Sequence, residues 1–191
     1  MAGMIPDILP ETIANNGERL FYSYAMSLPE DYTVLYSYRF YKEDPTEDKL
    51  LEADFIIVHP ALGYVVIEVK QGDIRFFNGL WHEYKNGNYI PLHKDPVAQA
   101  QNAMFEILTQ YKKETKGKGF PLGIRYALCF PECSRMSGIV PKGLKENSIW
   151  TFDDLEVLPQ RIKDLFTNQE QKVDKEAANI YLKGVDCNVY L

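Results

Sequence analysis

The sequence predicts an α/β fold: a mixed β-sheet flanked by helices, with a C-terminal helical extension. Three observations predict it. β-Branched and aromatic runs fill Tyr32 to Lys70, an Asp95-Pro96 pair opens an amphipathic stretch, and the apolar segments after it alternate between strand and helix character. The order is helix, strands, helix, strand, strand, helices, which suits a mixed sheet better than a regular βαβ repeat. At 191 residues the chain fits a single domain over 1–191, with a core at about 11–130 and a C-terminal strand and helices over 131–191.

The elements follow in order. From Glu11 to Leu28, Ile13, Leu20, Phe21, Tyr24 and Leu28 recur near helical spacing, and Pro29 closes the segment. Gly17 weakens that helix by ~1 kcal/mol relative to Ala. Tyr32 to Tyr41 reads as a strand, and Lys42 to Asp48, with Pro45, as a charged turn. Leu50–Val58 and Tyr64–Lys70 are two strong strands, and the breaker-rich link His59-Pro60-Ala61-Leu62-Gly63 makes them a hairpin. Short strands at Asp73–Phe77 and Leu80–Tyr84 meet at Asn78-Gly79, and Asn86-Gly87 makes the next turn.

Asp95 is an N-cap and Pro96 the first residue of a helix whose apolar face carries Val97, Ala100, Met104, Ile107, Leu108 and Tyr111. Lysines at 112, 113, 116 and 118, with Gly117 and Gly119, end it. Ile124–Phe130 is a buried strand and Ser148–Phe152 another. Asp153–Phe166, interrupted at Pro159, and Lys172–Lys183, capped by Gly184, are helical.

Composition bounds the function. A hydrophobic fraction of 46% and a charged fraction of 25% exclude wholesale disorder. A net charge of −6 repels polyanions, so contact with nucleic acid needs a local patch or a bound metal. Cys129, Cys133 and Cys187 form neither a disulfide framework nor a CxxC pair. The N-terminus lacks a basic and then apolar leader, and no apolar run reaches the ~18 residues that span a bilayer, so a soluble, cytoplasmic protein with reduced thiols and no membrane partner is expected.

Functional sites break local rules, and two strands here carry charges inside apolar runs. Asp54 opens Phe55-Ile56-Ile57-Val58, and Glu68 and Lys70 are set into Val65-Val66-Ile67-Glu68-Val69-Lys70. An isolated buried charge costs several kcal/mol even after relaxation. Centring the hairpin on Ala61 puts Asp54 opposite Glu68, with Cβ atoms ~4.5–5.5 Å apart. Opposed carboxylates repel unless a cation lies between them, and strand period puts Lys70 on the face of Glu68. Two acids and one lysine then converge, as a hard divalent ion and its activated water require. The competing reading makes Glu68 and Lys70 an edge-strand salt bridge and puts Asp54 in a strand-opening turn.

Gly17-Glu18-Arg19, Glu52-Ala53-Asp54-Phe55-Ile56-Ile57-Val58, Gly63 to Lys70 and Asp95-Pro96-Val97-Ala98-Gln99 occur in this order. Together they resemble the nuclease-related domain (NERD), a branch of the PD-(D/E)XK nuclease superfamily, over about Gly17 to Phe130. The resemblance implies a restriction-endonuclease-like core, with Asp54 and Glu68 as ligands of Mg²⁺ (or Mn²⁺) and the Val69 carbonyl as a further ligand. It implies that Lys70 positions the attacking water and that Glu18 reaches the metal shell from the first helix. Glu18 borders the apolar face of its helix, and a solvated carboxylate is the alternative there. Gln99 matches a Pro-x-x-Gln position whose amide would hold Lys70 or a phosphate. Helical period sets Gln101 nearer the buried face, so the choice between the two glutamines stays open.

Other chemistries lack their motifs. His59, His82 and His93 have no metal-binding spacing, and His59 reads as a turn residue; Cys129 reads as a buried thiol. There is no G-x-S-x-G elbow, Walker loop or dinucleotide fingerprint, and so no helicase motor in this chain. The lysines after the second helix, with Lys142 and Lys145, read as solvated ends or as phosphate contacts. Tyr36, Tyr38, Arg39 and Phe40 read as core or as a stacking surface for bases. The expectation is a metal-dependent nuclease acting on DNA. The family precedent adds a superfamily 1 helicase module in the same or a partner chain, which would make this the front of a longer protein. A non-catalytic DNA- or partner-binding module with the same fold is the alternative.

Overall fold

The computed structural model describes residues 1–42, 49–134 and 140–167. The turn around Pro45, the expected helix at Lys172–Lys183 with Gly184, and Cys187 lie outside the described residues. In chain order the elements are β1 (Gly3–Ile5), α1 (Asn16–Ala25), β2 (Thr33–Lys42), β3 (Lys49–His59), β4 (Gly63–Val69), β5 (Ile74–Phe77), β6 (Leu80–Lys85), β7 (Asn88–Pro91), α2 (Pro96–Glu114), β8 (Gly123–Phe130), β9 (Ile149–Thr151), α3 (Phe152–Leu155) and α4 (Leu158–Leu165).

Six strands form one mixed sheet in the order β1-β2-β3-β4-β8-β9. β2, β3 and β4 pair antiparallel, while β1 joins β2, β8 joins β4 and β9 joins β8 in parallel. Both faces are covered. Phe21, Tyr22 and Ala25 of α1, with Leu155 of α3 and Leu158 and Ile162 of α4, pack on Phe55, Ile57, Val65, Ile67 and Trp150. On the other face, Ala103 and Ile107 of α2 pack on Ile56, Val58, Tyr64 and Val66. β4 is therefore buried along its whole length, which explains its near-continuous run of apolar residues. It is an interior strand, not an edge.

The β3–β4 register joins Phe55 to Ile67, Ile56 to Val66 and His59 to Gly63, the pairing expected from a hairpin centred on Ala61. His59 belongs to that turn, since its Nδ1 accepts from the Ala61 and Leu62 N–H groups and its Nε2 lies 2.7 Å from Asp31. Gly63 is required: its φ is +135°, and a Cβ there would lie 2.0 Å from the Gly123 carbonyl oxygen on β8.

β5, β6 and β7 form a separate three-stranded sheet turned by Asn78-Gly79 and Asn86-Gly87, all four residues at positive φ. β7 and β1 are too short to stand out by periodicity. α1 is shorter than the Glu11–Leu28 span: Asn15 caps it by accepting from the Glu18 N–H at 3.0 Å, and Pro10–Thr12 forms a separate 3₁₀ turn. Asp95 caps α2 as expected, accepting from Val97 and Ala98. Pro159 sits in the first turn of α4, so the segment over Asp153–Phe166 is two helices that meet at Glu156-Val157.

Regular alternation breaks at one place in β2 and β3. The ladder joins Tyr36 to Phe55 and Tyr38 to Ala53 but skips Ser37, whose φ is +53°, opposite Asp54. On both strands the side chains change face there. Tyr36 and Phe55 pack on the α1 side, and Tyr38 and Ala53 on the α2 side. The kink thus falls at the acid singled out from the sequence.

Candidate active site

A cavity of about 370 Å³ lies at the carboxyl end of β4. Its lining includes Glu18, Asp54, Glu68, Val69, Lys70 and Gln99, so all six residues singled out from the sequence meet in one place. In open α/β sheets, the carboxyl ends of parallel strands are the usual location for a ligand site. Here β4 and β8 end together, and the Lys70 N–H donates to the Cys129 carbonyl at 3.0 Å.

Asp54 stands where the ladder would continue opposite Glu68, but the last paired residues are Phe55 and Ile67. Its Oδ2 instead accepts a hydrogen bond from the Val69 N–H at 2.8 Å. The carboxylate is tied to the segment that bears Glu68 and Lys70. Glu68 is only 4% exposed, and the Lys70 ammonium lies 3.1 Å from its Oε1. The salt bridge of the competing reading therefore exists, but within a buried central strand, and Asp54 lies inside β3 rather than in a turn.

Glu18 enters from the first turn of α1, where its Oε2 accepts from the Tyr36 hydroxyl at 2.8 Å. Gly17 brings that turn close: a Cβ on it would sit 3.0 Å from the Gln71 Cα and 3.2 Å from its N. The Asn16 N–H donates to the Gln71 side chain at 3.2 Å. Glu132, after β8, accepts from the Asn16 side chain and the Gly72 N–H, binding helix, β4 exit and β8 exit together.

The two glutamines of α2 separate. Gln99 lines the cavity, and its Oε1 is buried without a hydrogen-bond partner among the described residues. Gln101 donates to the Tyr126 hydroxyl at 3.4 Å instead. Four carboxylates, of Glu18, Asp54, Glu68 and Glu83, line the cavity with two lysines, Lys94 and the Lys70 that pairs with Glu68. Burial pushes the Asp54 carboxyl up to about 8, helped by the charges of Glu68 and Glu18 and opposed by the Val69 N–H and Lys70. Burial also raises Glu68, against the lowering effects of Lys70 and of a hydrogen bond with Asp54. The pair therefore holds a shared proton near neutral pH when no cation is bound.

Among the described residues, no three or more His, Cys, Asp or Glu side chains are grouped to hold a metal. Mg²⁺ is commonly bound by one or two carboxylates, with waters and substrate phosphate completing the octahedron. Asp54 and Glu68, with the Val69 carbonyl, fit that modest requirement. The unmet acceptor of Gln99 and the mutual repulsion of the acids fit a site that gains from a positively charged, hydrated guest.

Asn15, Gln71, Glu83, Leu92, His93 and Lys94 also line the cavity. Sequence reasoning missed them. His93 and Lys94 directly precede the Asp95 cap of a helix whose start faces the sheet's carboxyl end, and that position was the available signal. The basic clusters are not at the site. Lys112 and Lys113 close α2 three to four turns beyond Gln99, which lines the cavity, about 20 Å along the helix at 1.5 Å per residue. In β2, Phe40 is buried, Tyr36 and Tyr38 are half-buried, and Arg39 reaches Glu52 at 3.6 Å, so the strand is core rather than a stacking surface. Cys129 is fully buried, as a structural thiol would be.

Fold and cavity together define a mixed α/β protein with an acidic, lysine-bearing cavity beyond its central parallel strands. Comparison with protein-family models, curated proteins and solved structures finds no match to this chain. Among the described residues no helix is long and apolar enough to cross a membrane.

Proposed function

We propose that the chain is a divalent-metal-dependent nuclease that hydrolyses DNA phosphodiester bonds, with a restriction-endonuclease-like core of the nuclease-related type. The observation that carries the reading is the meeting of Asp54, Glu68 and Lys70 in one cavity, with both acids pushed up by burial and Asp54 further by the charge of Glu68. Asp54, Glu68 and the Val69 carbonyl would hold Mg²⁺ (or Mn²⁺). When bound, the ion lowers the pKa of a water and neutralises charge on the scissile phosphate. Lys70, held by Glu68, presents a fixed ammonium that orients the attacking oxygen and stabilises charge growing on the phosphoryl oxygens. Glu18 would reach the ion through water, and the Gln99 amide would hold Lys70 or a substrate phosphate.

The test is hydrolysis of labelled single- and double-stranded DNA with and without Mg²⁺. Mg²⁺-dependent cleavage lost in Glu68→Ala and Lys70→Ala supports the reading, and cleavage that survives both substitutions overturns it. The net charge of −6 favours a second reading, a DNA- or partner-binding module that hydrolyses nothing. Calorimetry separates the two: a Mg²⁺ isotherm lost in Asp54→Asn supports the enzyme, and DNA binding indifferent to metal supports the module. A helicase module in the same or a partner chain, and a cytoplasmic location, accompany the nuclease reading.

A further inference from the structure

The kink at Ser37 has a consequence for the cavity. In a regular strand Tyr36 and Tyr38 would share a face. With Ser37 at φ +53°, Tyr36 turns to the α1 side while Tyr38 stays on the α2 side. There the Tyr36 ring is held by Phe55, centroids 5.1 Å apart, and by an edge contact with Tyr22 at 5.7 Å. Phe55 is the neighbour of Asp54 in β3. The Ser37 hydroxyl donates to Glu52 at 2.7 Å and fixes the kink itself.

The hydroxyl of this immobilised ring meets Glu18, the one cavity acid that comes from a helix rather than from a strand. A glutamate on the first turn of a helix has rotamer freedom to swing into solvent. A packed tyrosine has almost none, so the hydrogen bond restrains one carboxylate oxygen. Among the described residues no other donor to that carboxylate is found, so its second oxygen remains available to a hydrated ion.

We propose that Tyr36 is a positioning residue that holds Glu18 at the cation site, so that the β2 kink serves Glu18 through Tyr36 just as it lies opposite Asp54. This rests on the reading of the cavity as a divalent-cation site. Partners of this kind that orient metal-shell groups typically contribute about 10–100-fold in affinity. Tyr36→Phe keeps the ring and its packing and deletes only the donor.

The experiment is Mn²⁺ titration calorimetry on the full chain, comparing wild type with Tyr36→Phe, Glu18→Gln, the double variant and Asp54→Asn. The expected result is Mn²⁺ affinity lowered on the order of tenfold by Tyr36→Phe and by Glu18→Gln. The double variant should be no weaker than Glu18→Gln alone, because both substitutions remove one device. A merely structural tyrosine would lower the melting temperature without that non-additive loss of affinity. If wild type binds Mn²⁺ and Asp54→Asn does not, while Tyr36→Phe binds as wild type or adds independently to Glu18→Gln, the role of Tyr36 is overturned and the cation site stands. If wild type itself binds no Mn²⁺, the cation site falls and the role of Tyr36 falls with it.

Discussion

Asp54 of β3 accepts a hydrogen bond from the Val69 N–H of β4 at 2.8 Å, a side chain taking the place of the next ladder bond. The β3–β4 ladder ends there, at Phe55 and Ile67, beside the cavity, while β4 stays paired to β8 through Val69. The hydrogen bond also keeps a second carboxylate beside Glu68, where it raises the proton affinity of the pair.

The proton held by that pair sets a pH dependence. Asp54 titrates at about 8 in the fold against 3.8 for the free side chain. Between those values the native state keeps a proton that the unfolded chain has released. The contribution of Asp54 to the stability of the metal-free protein is therefore full below about pH 4 and is lost as pH rises toward 8, by up to about 1.4 kcal/mol per unit. Asp54→Asn, which keeps an acceptor for Val69, should flatten the slope. Urea titrations in chelator at pH 5 and pH 8 check this, and added Mg²⁺ should restore stability at the higher pH.

Lys70→Ala should lower stability by about 1–3 kcal/mol, because it leaves the nearly buried Glu68 without its partner. Glu68→Gln paired with Lys70→Met should recover part of the loss in thermal melts. Neither variant should cleave DNA.

Gln99→Leu should leave the melting temperature unchanged or slightly higher, since the buried Oε1 has no hydrogen bond to lose. The same substitution should lower DNA cleavage at least tenfold if the amide holds Lys70 or a phosphate. Thermal melts and cleavage rates on one preparation show whether stability and activity part in this way.

Gly17→Ala decides between two opposing effects. Helix propensity alone favours alanine by ~1 kcal/mol. The added methyl would press on the Gln71 backbone at 3.0–3.2 Å, and overpacking of that kind costs about 1–3 kcal/mol. A net loss of stability is expected, with weaker Mn²⁺ binding because Glu18 moves with its helix. Denaturation curves and the Mn²⁺ isotherm measure both.

The hairpin and its register were legible because apolar patterning ties each residue to a face, and a slip by one would have exposed Ile56, Val66 and their neighbours. Asp95-Pro96 and Asn78-Gly79 were legible because capping and tight turns demand those residue types. β1 and β7 escaped because three or four residues carry no period. In the sequence Gly17 is only a weak point of its helix; its tight approach to Gln71 depends on a partner 54 positions away. Glu83 escapes for a similar reason, since the fold back of the small sheet onto the end of β4 is a tertiary event with no local signature. The Ser37 kink was hidden too, as serine is ordinary in a strand sequence and only its φ betrays it.

The most direct measurement is an anomalous difference map from crystals soaked in Mn²⁺. A peak between the Asp54 and Glu68 carboxylates, at roughly 2.0–2.2 Å from an oxygen of each, is the predicted result. Well-ordered carboxylates with no peak between them at saturating Mn²⁺ would contradict the account.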